Sequence, residues 1–66
     1  MKIEEAIRYF ERELEKIEEA EATEASAAEP DEEVLHAWSY EREATDMALT
    51  ALRVIQARLV CLGIDG

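Results

Sequence analysis

Ser26-Ala27-Ala28-Glu29-Pro30-Asp31 is the stretch that decides the fold, because the sequence on either side of it is helix-forming almost without interruption. Pro30 lacks a backbone donor and clashes with a preceding turn, so no helix runs through it, although a first helical turn tolerates it. Ser26 and Asp31 both suit an N-cap, and Asp31, Glu32 and Glu33 place negative charge where a helix dipole favours it. The stretch therefore splits one helical sequence into two. Helix 1 is expected over about 3–24, the turn over about 25–30 and helix 2 over about 31–62, all in a single domain spanning 1–66.

Working upstream, the large apolar residues are Ile3, Ile7, Phe10, Leu14 and Ile17, spaced alternately by four and three. That spacing lays them along one helical face. Glu4, Glu5, Glu11, Arg12, Glu13, Glu15 and Lys16 fill the solvated side, with Glu4 and Arg8 in the favourable i,i+4 order. Beyond Ile17 the line continues only as alanine and glutamate, so packing weakens while helix propensity persists.

Downstream, nothing interrupts helix 2 before Gly63, which together with Gly66 reads as a C-terminal stop. The resulting helix is about 48 Å long at 1.5 Å per residue, much longer than helix 1. It carries two apolar lines. One is Val34, Trp38, Thr45, Ala48, Leu52, Ile55, Leu59 and Leu62, widened by Leu35 and Leu49. The other is Ala37, Tyr40, Ala44, Met47, Ala51, Val54 and Cys61. Ser39, Glu43, Asp46 and Arg53 form the narrow solvent-facing strip.

Helix 1 can cover only one of these lines. In an antiparallel hairpin turning near Ala28, Ile17 falls opposite about Ser39 and Ile3 opposite about Arg53. Ile55, Leu59, Val60, Leu62 and Ile64 then project past the shorter helix, an apolar patch unusual on a soluble monomer. The expected fold is all-α: an antiparallel two-helix hairpin that self-associates, most simply as a twofold dimer forming a four-helix bundle. Trp38, Ala48, Leu52, Ile55, Leu59 and Leu62 are the candidate interface residues, and Ala37, Ala44, Ala48 and Ala51 allow close helix approach.

Charge narrows the function. A net charge of -10 and a pI near 4.3 oppose direct binding to nucleic acid or an anionic membrane, both of which need a basic footprint. A hydrophobic content of 48% is too high for a disordered acidic tail. The lone Cys61 makes no internal disulfide and, beside Val60 and Leu62, reads as a small buried hydrophobe. The longest apolar run, Leu59 to Ile64, is too short for a bilayer, and Glu4 and Glu5 do not fit a signal peptide. A cytoplasmic protein is expected.

Residues 15–33 hold nine acids against Lys16 alone, so nearly all the excess charge gathers at the turn end of the hairpin. Glu18, Glu19, Glu21, Glu24, Glu32 and Glu33 are the candidate docking residues for a basic partner. A solubilising face over a thinly packed helix end gives the same pattern. Glu33 and His36 have the carboxylate–imidazole spacing of di-iron bundles, but one His and few inward glutamates do not make a metal site. Trp38 and Phe10 read as core rather than as a base-stacking platform with Tyr9 and Tyr40. No nucleophile constellation, phosphate loop or paired acid and base occurs, so no enzyme activity and no cofactor are expected.

Met1-Lys2-Ile3-Glu4-Glu5-Ala6-Ile7 resembles the M-T-I-E-E-A-I opening of small helical proteins from phages and prophages of Gram-positive bacteria. Arg42-Glu43-Ala44-Thr45-Asp46-Met47-Ala48-Leu49-Thr50-Ala51-Leu52 is similar to their E-A-L-D-M-A-I-x-A-L signature. The chain departs at Lys2, where a threonine would cap the helix, and at Thr45, where leucine is usual. The resemblance implies a small helical protein of the bacterial host cytoplasm with no catalytic residues. It favours a stoichiometric binder or inhibitor of a host defence or regulatory protein. Two alternatives stay open: a purely structural protein, and an oligomeric sponge that sequesters a cyclic-nucleotide immune signal. Ala48-Leu49-Thr50-Ala51-Leu52, followed by Ala57-Arg58, is similar to the A-x-T-x-L segment of such sponges, without the tryptophan that follows there. Arg42, Arg53 and Arg58 are the cations helix 2 could offer a nucleotide.

Overall fold

A computed structural model describes residues 1–63 and gives two α-helices, α1 (Ile3–Ala25) and α2 (Glu32–Cys61). Among the described residues there is no strand. Arg53 Nη2 lies 3.3 Å from Glu11 Oε2 and Arg42 Nε lies 3.1 Å from Glu21 Oε1. An early α1 residue thus meets a late α2 residue and the reverse, so the helices are antiparallel. The hairpin is a rod with extents of 52 × 15 × 14 Å, one helix pair in cross-section.

Local chemistry sets the helix ends. Lys2 precedes α1 in an extended conformation and makes no side-chain cap, so Glu4 and Glu5 supply only their charge to the first turn. Ser26 closes α1 rather than opening α2, its N–H donating to the Ala22 carbonyl at 3.0 Å. Asp31 caps α2, its Oδ1 accepting from the N–H groups of Glu33 at 2.9 Å and Val34 at 3.4 Å. Glu24 Oε1 accepts from the Asp31 N–H at 2.9 Å and ties the end of α1 to the start of α2. Past Cys61, Gly63 adopts φ +72°, the left-handed conformation that ends helices and that only glycine adopts without strain. Replacing Asp31 by Ala should cost about 1 kcal/mol in urea unfolding, whereas Glu29→Ala in the exposed turn should be near neutral. Equal effects of the two would mean that the cap does not hold the start of α2.

The core between the helices is thin. Ile7, Ile17, Leu49 and Thr45 are its buried side chains, and Leu49, at 1% exposure, is the most deeply buried. Leu35, Arg42, Leu49 and Gln56, seven apart, form a covered line on α2, and Trp38, Leu52 and Leu59 flank it half-buried. Half-buried Ile3, Phe10 and Leu14 share the inner face of α1 with Ile7 and Ile17. α1 therefore covers one side of α2 and leaves the opposite side bare.

Three further expectations change. Cys61 is exposed rather than buried, because it sits on the side of α2 that α1 does not cover. Ser39 is half-buried rather than solvent-facing, since its place beside Leu35 and Arg42 turns it toward the helix pair, with its Oγ 3.5 Å from Arg42 Nη2. Leu59 is half-buried rather than projecting free. The Arg53–Glu11 pair explains this: α1 has two further turns before Glu11, so it reaches beyond Arg53 along α2 instead of ending beside it. Ile55, Val60 and Leu62 are exposed, and Ile64 and Gly66 lie outside the described residues.

Candidate binding surfaces

The turn end gathers the six candidate docking carboxylates but does not present them equally. Glu18, Glu19, Glu32 and Glu33 are exposed, the last two in the first turn of α2. Glu21 and Glu24 are half-buried and occupied within the hairpin, Glu21 by Arg42 and Glu24 by the Asp31 N–H. Between the helices here runs a shallow open groove lined in part by Glu18, Glu21, Leu35, Ser39 and Arg42. Arg42 is its cation. Its guanidinium is shared between Glu21 and Ser39, and the residue is half-buried. The sequence lists Glu21 and Arg42 without hinting that they meet, because 21 residues of chain separate them.

The second surface is the bare side of α2. Tyr40 and Met47 are 72% and 74% exposed, and Val54 continues the same line at 53%. Shallow depressions lie at both ends of the line, one bordered by Tyr40, Glu43, Ala44 and Met47, the other by Val54, Ala57, Arg58, Cys61 and Leu62. Of the six candidate interface residues, Trp38, Ala48, Leu52 and Leu59 are half-buried, and Ile55 and Leu62 are exposed. Arg58, missing from the apolar lines read in the sequence, belongs spatially to the bare side.

The remaining chemistry-bearing residues do not converge. His36 lies against Tyr40, the ring centres 6.5 Å apart and tilted by 50°. Tyr9 and Phe10 make an edge-to-face pair at 5.4 Å. Among the described residues, no group of three or more His, Cys, Asp or Glu side chains is placed to hold a metal ion. No helix among them is long and apolar enough to cross a membrane. Of the three arginines on α2, Arg42 and Arg53 are ion-paired to α1. Compared with family models, curated proteins and solved structures, the chain matches none of them.

Proposed function

We propose that this chain is a non-catalytic, stoichiometric protein binder that self-associates through α2 and docks a basic protein surface with its acidic turn end. The division of the rod into two surfaces carries this reading. Exposed carboxylates of Glu18, Glu19, Glu32 and Glu33 cluster at the turn, while the long bare side of α2 is apolar. Two hairpins joined through α2 make a dimeric four-helix assembly, which removes the apolar side from water. The resemblance to small phage and prophage proteins makes a host defence or regulatory protein the proposed target, bound and inhibited in the cytoplasm of the bacterial host.

A nucleotide sponge has weaker support, because Arg42 and Arg53 are already neutralised by Glu21 and Glu11. Exposed charge at an interface acts mainly on encounter rate. Changing Glu18, Glu19, Glu32 and Glu33 together to glutamine should therefore slow association with the basic target by roughly tenfold or more. Dissociation should change little, and the native association rate should fall as salt rises. A variant that associates as fast as the native protein would remove the acidic end from the docking role. A cyclic nucleotide that raises the melting temperature, with the shift lost in Arg58→Ala, would favour the sponge instead.

A further inference from the structure

The bare side of α2 has a stricter pattern than a general apolar surface. Ala37, Ala44, Ala51 and Arg58 repeat every seven residues, and so do Tyr40, Met47, Val54 and Cys61, offset from the first set by three. All eight residues are exposed. Together they make an unbroken alternation of three and four, the spacing of a two-stranded coiled-coil seam. The covered line Leu35, Arg42, Leu49 and Gln56 has the same period and faces α1. The second helix thus carries two opposed seams, one filled by α1 and one empty.

We infer that the empty seam is filled by the same seam of a second copy, running antiparallel, with Ala37 level with the partner's Cys61. This rests on the self-association proposed above and fixes its geometry. Steric matching is the first argument. In an antiparallel pair each residue of one set faces a residue of the other. Ala44 then meets the partner's Val54, Ala51 meets the partner's Met47, and Arg58 meets the partner's Tyr40. Six of the eight layers set an alanine against a larger side chain, so those layers are of similar width and the axes can approach to about 8 Å there. A parallel pair instead stacks alanine on alanine and tyrosine on tyrosine, leaving alternate layers empty and overfilled. The remaining two layers, one near each end of the seam, place a guanidinium at the tyrosine ring, a cation–π arrangement.

Charge is the second, independent argument. The first half of α2 carries Glu32, Glu33, Glu41, Glu43 and Asp46 against Arg42, whereas the half from Met47 to Cys61 carries Arg53 and Arg58 and no acid. Antiparallel pairing lays the acidic half of each copy along the acid-free half of the other, where Arg58 is exposed on the empty seam. Parallel pairing would bring the two acidic turn ends side by side, where like charges repel. The antiparallel dimer has α2 and the partner's α2 as its inner pair, each α1 outside, and the two acidic turns at opposite poles. One dimer then offers two equivalent docking ends.

Cys61 makes the geometry testable, because in this register it lies about 36 Å along the axis from the partner's Cys61, at 1.5 Å per residue. Sedimentation should give a dimer for the native chain and for Ala37→Cys, a change at an exposed site. Mild oxidation of Ala37→Cys should yield a covalent dimer whose disulfides join position 37 of one chain to Cys61 of the other. A second variant, Cys61→Ser with Ala44→Cys and Val54→Cys, should cross-link between positions 44 and 54. A monomer at micromolar concentration would overturn the self-association itself. A dimer whose disulfides join like positions, Cys61 to Cys61 above all, or one in which neither variant gives the mixed product, would overturn the antiparallel register while leaving the dimer standing.

Discussion

Replacing Leu49 by Ala should destabilise the hairpin by about 3 kcal/mol, with the change in apparent stability read by urea or thermal unfolding of the helical circular dichroism signal. Leu49 is the most deeply buried side chain of the core, at 1% exposure, and among the described residues it shares that core with Ile7, Ile17 and Thr45. A chain of this length has a total stability on the order of 3–10 kcal/mol, so one cavity removes a large fraction of it. The cavity would open in the middle of the covered line, between Arg42 and Gln56, whose polar ends cannot fill an apolar space without losing their hydrogen bonds. Leu52→Ala, at a half-buried site beside it, should cost distinctly less. Should Leu49→Ala melt no earlier than Leu52→Ala, the contact between α1 and α2 would not be the source of the hairpin's stability.

How far the sequence discloses this arrangement depends on which interactions are local. Ile7 and Ile17 are placed in the core by their spacing alone, since that face of α1 has no apolar competitor. Asp31 is placed as a cap by its own chemistry and by the proline before it. On α2 the sequence offers two apolar lines and cannot say which one α1 takes. The hairpin packs α1 against the side of α2 that carries Leu35, Leu49, Leu52 and Leu59, and that side also includes an arginine and a glutamine, Arg42 meeting Glu21 on α1. Read by hydropathy, Arg42 and Gln56 do not mark a covered face, and Cys61 does not mark an exposed one. The same limit applies to the acidic end. Nine clustered acids are visible in the sequence, yet only the hairpin separates Glu21 and Glu24, spent on internal bonds, from Glu18, Glu19, Glu32 and Glu33, which are exposed.

The largest effect on assembly is expected from Met47→Glu. Met47 is 74% exposed on the single hairpin, so a glutamate there, itself a good helix former, should leave an isolated hairpin folded. In the antiparallel dimer the same position meets the partner's Ala51 close to the twofold axis, and symmetry buries two carboxylates there with no cation beside them. Each would be desolvated without a partner, and the pair would repel. A loss of about 3 kcal/mol raises the dimer Kd by roughly 150-fold, which sedimentation reads as a shift to monomer at micromolar concentration. Val60→Glu is the matched control: Val60 is 72% exposed on the same helix but lies off the empty seam. It should leave the dimer intact. Because stability drawn from association depends on concentration, the native melting temperature should climb with protein concentration and that of Met47→Glu should not. If both variants dissociate equally, exposed apolar surface in general drives association and the seam has no special part in it; if neither does, the second copy docks elsewhere.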